Sequence, residues 1–163
     1  MSEQPESIKT LQGLIGTEPV VTDWMSISQI ETDVFSALTG DRALMHNDPE
    51  WAATSPWGGT IVQGYHVMAL LPRALDALPI PVMDDDRNYM LNYGLDRVRV
   101  LSPLRVGHEF RIHTGVKAIE DKREDRFLVT FEHTVEIRGE ERPFMVAEAL
   151  AYCGFDQDLT TAQ

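Results

Sequence analysis

The chain has 163 residues, of which 43% are hydrophobic and 25% charged, so a single domain with an ordinary core is expected. Its formal net charge of −12 opposes binding to a nucleic-acid backbone. No apolar run approaches the roughly 20 residues that a membrane-spanning helix needs. One cysteine, Cys153, leaves no internal disulfide, and the first residues lack the basic-then-apolar order of a secretory signal. We therefore expect a cytoplasmic protein without nucleic-acid or membrane partners.

Both ends of the chain are polar. Residues 1–10 and residues 157–163 have the composition of loose tails, because they offer too few apolar side chains to pack. The sequence thus predicts a single folded domain over residues 11–156.

The first clear helix signal is a capping box. Ser28 and Glu31 have the required spacing, and Gly40 is placed to end a helix over residues 29–39. Residues 41–47 are then expected to form a loop. Asp48 followed by Pro49 predicts the start of a short helix that reaches about residue 53.

A more apolar helix is expected from Gly64. The run VMALL at residues 67–71 is apolar around the whole helix, which predicts complete burial. Pro72 lies inside this pattern and lacks an N–H group, so the helix should kink or loosen there.

Beyond residue 87 the hydrophobic period changes to two, which is typical of strands with one covered face. Val98 and Val100 alternate with arginines, and a last apolar strand is expected over residues 145–155. We expect an antiparallel meander, and one apolar helix ahead of several long strands suggests an α+β fold in which a curved sheet wraps a helix. The predicted inward residues are Phe110, Ile112, Thr114, Val116, Phe127, Val129, Phe131, Val135 and Ile137.

Residues 39–49 (TGDRALMHNDP) carry the most informative pattern. Asp41 and His46 lie between two predicted helices, where their side chains can point into a cleft. A carboxylate and an imidazole together suit general acid-base chemistry. Taken alone, Asp41 is also a normal turn residue and His46 a normal loop histidine.

This segment resembles the hydratase motif of the MaoC-like dehydratases, the (R)-specific enoyl-CoA hydratase group of hotdog proteins. The resemblance continues through residues 56–65 (PWGGTIVQGY), residues 91–99 (LNYGLDRVR), Ser102-Pro103 and Val106-Gly107. It covers roughly residues 15–155 and looks most similar to the branch that includes nodulation protein N.

The resemblance implies a hotdog fold and a lyase that hydrates 2-enoyl-CoA or dehydrates (R)-3-hydroxyacyl-CoA. It assigns Asp41 mainly to activating water and His46 to positioning that water and moving the proton. The backbone N–H of Gly64 would bind the enolate oxygen. Candidate substrate contacts are Gln63, Tyr65 and Arg97. No metal is expected, and no cofactor other than the coenzyme A of the substrate.

The sequence departs from the family pattern at a few positions. Ala43 stands where many relatives have Asn or Gln, Gln63 where many have His, and an apolar residue or Pro72 where some have Ser. These differences concern substrate choice and pocket polarity, and they leave the acid-base pair in place.

Two other functions are compatible with such a fold. One is an acyl-CoA thioesterase, which often carries a carboxylate on or near the central helix, but residues 60–75 contain no Asp or Glu. The other is a non-catalytic module that binds acyl thioesters. Retention of Asp41 and His46 favours the hydratase over both.

Three further expectations concern the surroundings of this site. Arg97, Arg99 and Arg105 are the basic residues available for coenzyme A phosphates, and because Arg97 and Arg99 alternate with core valines, a solvated strand face is an equal alternative for these two. Because a single curved sheet leaves an open edge, we expect a homodimer. Structural roles are the default for the remaining histidines, which are His66, His108, His113 and His133.

Overall fold

The computed structural model describes residues 4–79, 88–123 and 125–155. The first helix, α1, spans Glu6–Gly13, and its side chains Ile8 and Leu11 are fully buried. The predicted loose tail is therefore wrong for residues 6–10, because two apolar residues three positions apart are enough to anchor one short helix against the sheet. The predicted tail at residues 157–163 lies outside the described residues.

Helix α2 spans Gln29–Thr39 and confirms the helix predicted from the capping box. The backbone N–H of Ser28 donates to the Glu31 carboxylate (2.7 Å), and Gly40 ends the helix with φ 80°. The hydroxyl of Ser28 also donates to this carboxylate (2.7 Å), and the two hydrogen bonds lower the pKa of Glu31. The residues buried on this helix are polar, Thr32 and Ser36, whereas the apolar residues Ile30, Val34 and Leu38 are exposed.

Two short helices follow α2. Helix α3 spans Leu44–Asn47, so the predicted loop at residues 41–47 is only half correct: the carbonyl of Ala43 accepts from the backbone N–H groups of His46 and Asn47 and starts a helical turn. Helix α4 spans Pro49–Ala53, with the Asp48 carboxylate accepting from the Trp51 N–H (2.9 Å). That second helix and its cap agree with the prediction.

Helix α5 spans Gly64–Leu70 and passes into a 3₁₀ helix over Leu71–Ala77. The change occurs at Pro72, which cannot donate the next α-helical hydrogen bond. Within the apolar run Val67 and Leu71 are buried, but Ala69 is exposed, as is Tyr65 (73%) one turn before it. The predicted burial on all sides of this helix is therefore wrong, since the sheet covers only one side of it.

The strands are β1 (Val20–Val21), β2 (Asn88–Val100), β3 (Phe110–Arg123), β4 (Arg126–Ile137) and β5 (Met145–Phe155). They form one antiparallel sheet in the order β1-β3-β4-β5-β2. The meander prediction is correct for β3 to β5 but wrong for β2, which pairs with β5. Residues 101–109 carry the chain across the end of the sheet, where Val62 N–H donates to Leu104 and Val106 N–H to Thr60.

The inner face of the sheet matches the predicted alternation. Every predicted inward residue of β3 and β4 is at most 4% exposed. One apolar cluster joins Val67, Leu71 and Ala74 of the central helix to Ile112 and Val135 of the sheet. The sheet therefore wraps α5, and the predicted α+β hotdog fold is confirmed.

Among the helices of the described ranges, none combines the length and apolarity that a bilayer crossing requires.

Candidate active site

His46 lies on α3 with a buried side chain, and its ring orientation is fixed by one hydrogen bond. Its Nδ1 atom is 2.6 Å from the carbonyl oxygen of Ile61. A carbonyl oxygen can only accept, so Nδ1 must carry the proton. In the neutral ring Nε2 is then a hydrogen-bond acceptor.

Asp41 lies directly after Gly40, the left-handed residue that ends α2. Its Oδ2 atom is 3.8 Å from Nε2 of His46, and its side chain is 43% exposed, whereas that of His46 is 7% exposed. This separation is too long for a direct hydrogen bond. It leaves two acceptor atoms side by side, with the carboxylate open to incoming water.

Gln29, at the start of α2, holds the backbone around His46. Its side-chain Nε2 donates to the His46 carbonyl (2.7 Å), and its Oε1 accepts from the Thr60 hydroxyl (2.6 Å). The same amide nitrogen also donates to Asp33 (2.8 Å). Sequence reasoning missed Gln29, because these contacts join residues 17 and 31 positions apart and no local motif marks them.

The carbonyl of Ile61 is itself held in place. The Ile61 N–H donates to the Met45 carbonyl (3.0 Å), and residues 60–62 run antiparallel to residues 104–106 through two further backbone hydrogen bonds. Arg105 adds a side-chain bond to the Gly58 carbonyl (3.0 Å). A Cβ at Gly59 would lie 3.1 Å from that guanidinium, so glycine at this position leaves room for the Arg105 side chain.

Gly64 begins α5 three residues after Ile61. A Cβ at this position would lie 3.0 Å from Cγ2 of Val100, so glycine lets α5 approach β2 closely. A backbone N–H at the first position of a helix has no partner within the helix. Such a group is available to a ligand.

The structure separates the predicted substrate contacts. Gln63 is 1% exposed and turned toward α2, where Nε2 donates to the Ser36 hydroxyl (2.7 Å) and the Thr32 carbonyl (3.3 Å). Within the described residues, its Oε1 is buried without a hydrogen-bond partner. Tyr65 projects outward from the first turn of α5.

Arg97 lies on β2, the strand that ends the sheet. It has φ 50° at a bulge in β2 and forms an ion pair with Glu148 (3.4 Å). Glu132 and Thr134 line the same cavity as this pair, and both alternate with inward-facing residues of β4. Arg97 therefore lies on the outer face of the sheet. Arg105 lines a different cavity, and Arg99 donates to the Val98 carbonyl (2.7 Å), so the predicted cluster of these three arginines is not found at one cavity.

The remaining histidines have varied surroundings. His66 stacks on Phe35 with ring centroids 4.5 Å apart, and burial lowers its pKa, opposed by the charge of Glu31. His113 contacts Glu136 (2.6 Å), and His108 is exposed. In the described part of the chain, no three His, Cys, Asp or Glu side chains form a group that could hold a metal ion.

A cavity of about 480 Å³ lies between the helical layer and the sheet. Met68, Leu71 and Leu75 line it from the helical side, and Leu95 and Phe131 from the strands. The buried ring of His133 also lines it, and burial lowers the pKa of His133 to about 4. This volume is in the range typical of small-molecule sites.

Comparisons with known proteins identify the family of the chain. Residues 10–137 match the model of the MaoC like domain family. The chain is 34% identical over 145 residues to 3-hydroxyacyl-thioester dehydratase Z of Mycobacterium tuberculosis, covering 89% of this chain and 94% of the relative. It is 34% identical over 151 residues to nodulation protein N of Rhizobium leguminosarum bv. viciae, covering 92% of each.

Solved structures share the fold. An (R)-hydratase from Pseudomonas aeruginosa superimposes with a TM-score of 0.65 at 21% identity, covering 87% of this chain and 83% of that one. A monoamine oxidase regulatory protein from Archaeoglobus superimposes with a TM-score of 0.75 at 23% identity, covering 93% and 96%. The family match over most of the chain and the two sequence relatives establish that this protein belongs to the MaoC-like dehydratase family.

Proposed function

We propose that this chain adds water to 2-enoyl-CoA thioesters and, in the reverse direction, removes water from (R)-3-hydroxyacyl-CoA thioesters. The observation that carries this proposal is the pair of acceptor atoms at the site, Oδ2 of Asp41 and Nε2 of His46, 3.8 Å apart. The relative named as a 3-hydroxyacyl-thioester dehydratase supports the choice of reaction.

A single water molecule fits between these two atoms. At a hydrogen-bond distance of about 2.8 Å from each, it would donate one O–H to Asp41 and the other to His46. Its lone pair would then be free to attack. Two acceptors on one water are what a hydration site needs, because the water must lose a proton as its oxygen bonds to carbon.

In the proposed reaction the water oxygen bonds to C3 of the enoyl group, and the electrons of the C2=C3 bond move toward the thioester carbonyl. One water proton passes to the Asp41 and His46 pair, and the pair returns a proton to C2. The net change is one water added, and the same steps run backward for dehydration.

The negative charge that develops on the thioester oxygen needs a donor. We assign this role to the backbone N–H of Gly64, at the start of α5. Such a preorganised donor is typically worth about 10²- to 10³-fold in rate. A side chain at residue 64 would push against Val100 and displace it.

The acyl chain would extend from Gly64 into the cavity beside α5. Met68, which lines the cavity, lies one helical turn beyond Gly64, about 6 Å along the axis. Tyr65 is exposed on the first turn of α5, and we assign it a contact with the pantetheine arm. Gln63 would instead support this end of α5 through its bonds to α2.

For the coenzyme A phosphates we propose a second cavity, of about 270 Å³, whose lining includes Trp57, Arg105, His108 and Arg142. Arg105 pairs through its backbone with Ile61, the residue that orients His46, so this cavity adjoins the reacting groups. Local cations are needed because the net charge of −12 repels an anionic substrate.

We also propose a homodimer. Strand β2 ends the sheet, so its outer edge has no neighbouring strand among the described residues. Leu91 (56% exposed) and Tyr93 (66% exposed) lie on this strand. Pairing β2 with its copy in a second chain would cover these side chains and join the two sheets.

The reaction class is tested by mixing the protein with crotonyl-CoA and with a longer 2-enoyl-CoA. We expect the absorbance of the enoyl thioester to fall without release of free thiol. Release of thiol at the same rate as absorbance loss would identify a thioesterase instead. Binding of both thioesters with neither change would indicate a non-catalytic acyl-binding module.

A further inference from the structure

Two polar residues interrupt the inner face of the sheet. Thr114 and His133 are directly paired across β3 and β4, and the Thr114 hydroxyl is 2.9 Å from Nδ1 of His133. Both are almost completely buried, at 1% and 3% exposure. Their neighbours on the same face are apolar, including Ile112, Val116 and Phe131.

The pair divides the core into two apolar clusters. Ile112 and Val135 belong to one cluster, and Val116 and Phe131 to the other. An apolar pair at these positions would join the two clusters without the cost of burying an imidazole. A buried polar pair at this point therefore suggests a hydrogen bond to a polar group of a bound ligand.

One nitrogen of the His133 ring remains available. Nδ1 is used by Thr114, and within the described residues Nε2 has no hydrogen-bond partner. Among the described residues, the fully buried side-chain atoms without a hydrogen-bond partner belong to Gln63 and His66. Nε2 of His133 is not one of them, so this atom has an open, accessible side. His133 is a buried residue in the inward-facing positions of β4 and is among the residues that line the cavity of about 480 Å³, so we assign this open side of the ring to the space that would hold the acyl chain.

The ring is uncharged near neutral pH. Burial lowers the pKa of His133 to about 4, so the imidazole is neutral and offers one hydrogen bond at Nε2. Among the described residues that line the cavity there is no Lys, Arg, Asp or Glu, and the other polar side chain is the amide of Asn92. This environment suits a neutral oxygen group and does not suit a carboxylate.

In the proposed function the acyl chain runs from Gly64 into this cavity along α5 and β2. Val100 of β2 touches the position of Gly64, and Leu95, farther back along the same strand, lines the cavity with Met68 and Leu71 of the helix. Leu71 lies seven residues after Gly64, about 10 Å along the helix. A chain attached to a thioester at Gly64 would therefore reach His133 only several carbons from the carbonyl.

From these observations, and resting on the proposed function, we propose that the cavity selects acyl chains that carry a hydroxyl or keto oxygen several carbons beyond C3, with Nε2 of His133 as the hydrogen-bond partner of that oxygen. An unsubstituted chain would leave this nitrogen without a partner. The site would then favour the oxygenated chain over a plain chain of equal length.

The test measures binding, so that it does not depend on turnover. Calorimetric titrations would compare saturated acyl-CoA thioesters of one length, with no oxygen group or with one hydroxyl or keto group at successive positions beyond C3. We expect one position to lower Kd by about 10-fold, as one net hydrogen bond allows. A preference for hydroxyl over keto would show that Nε2 accepts, and the reverse preference that it donates.

The matched variant is His133→Leu, which removes the ring nitrogen and keeps an apolar side chain of similar size. It should bind the plain chain at least as well as wild type and lose the preference. If it does not fold, ¹⁵N spectra of the wild-type imidazole decide, because Nε2 should shift with the preferred ligand and stay unchanged with the plain chain.

Equal affinities for all ligands in the wild type, or a preference that survives His133→Leu, would overturn the proposal. Hydration of crotonyl-CoA with no oxygen preference would overturn this inference alone. An oxygen preference in a protein that hydrates nothing would overturn the proposed function and leave the inference supported.

Discussion

Nδ1 of His46 lies 2.6 Å from the carbonyl oxygen of Ile61. This contact sets the tautomer of the ring and turns Nε2 toward Asp41. The orientation depends on a segment far from His46 in sequence, since residues 60–62 are held against residues 104–106. Disturbing those contacts should therefore lower catalysis without removing either member of the pair.

The first prediction concerns Gln29, whose side chain donates to the His46 carbonyl. Gln29→Leu should lower kcat by about 10-fold with little change in KM, because a displaced base weakens stabilisation of the transition state more than it weakens substrate binding. Steady-state kinetics with crotonyl-CoA measure this, and the pH–rate profile should shift as well. Gln12→Leu, on an exposed position of α1, is the matched control. An equal fall in kcat for both variants would contradict a positioning role for Gln29.

The second prediction separates two candidate sites for the coenzyme A phosphates. Arg142→Gln should raise KM for crotonyl-CoA by about 5-fold, with an effect that shrinks in high salt, because Arg142 lines the cavity next to Ile61. Crotonyl-pantetheine, which lacks the adenosine phosphates, should show no change. Arg97→Gln, on the outer face of the sheet, is the comparison. If Arg97→Gln alone raised KM, the phosphates would bind where the sequence motif suggested.

The third prediction concerns the edge of β2. Sedimentation should give twice the chain mass of 18.4 kDa at micromolar concentration. Leu91→Glu should shift the protein toward the monomer, because a charge at this exposed position opposes burial in an interface. Val21→Glu, at the opposite edge of the sheet, should leave the mass unchanged. A wild-type protein that sediments as a monomer would remove the basis for this interface.

The fourth prediction uses the pKa of His133, which burial lowers from 6.5 to about 4. As the pH falls, the imidazole is protonated at a higher pH in the unfolded chain than in the folded protein. The contribution of His133 to stability is therefore complete above pH 6.5 and is lost as the pH falls toward 4. The full loss corresponds to about 3 kcal/mol in the free energy of unfolding. Urea unfolding at pH 7.5 and 4.5 should show a smaller acid-side loss for His133→Leu than for wild type. Identical losses in the two proteins would mean that His133 does not cause the effect.

Local signals in the sequence predicted much of the fold. The capping box of Ser28 and Glu31, the Asp48-Pro49 helix start and the alternation in β3 and β4 each depend on residues a few positions apart, and each is confirmed. The position of β2 beside β5 was not predicted, because it depends on a crossover of the chain. Helix α1 was missed because its polar composition hides two anchoring residues.

The candidate site divides in the same way. The motif singled out Asp41 and His46, and the structure brings them within 3.8 Å of each other; their catalytic role stays a prediction. Gln29 and the Thr114–His133 pair had no sequence signal, since their contacts cross 17 to 31 positions of the chain. Arg97 belonged to a conspicuous basic stretch, but a bulge in β2 and the pairing with Glu148 place it on the outer face.

The central claim is that Asp41 and His46 together activate one water molecule. The most direct measurement is the rate of crotonyl-CoA hydration by Asp41→Asn and by His46→Gln, with crotonyl-CoA binding measured in parallel. We expect each variant to bind the thioester with nearly wild-type affinity and to lose at least about 100-fold in kcat, the range for a general acid-base group. Turnover within a few-fold of wild type in either variant, with binding intact, would contradict the claim.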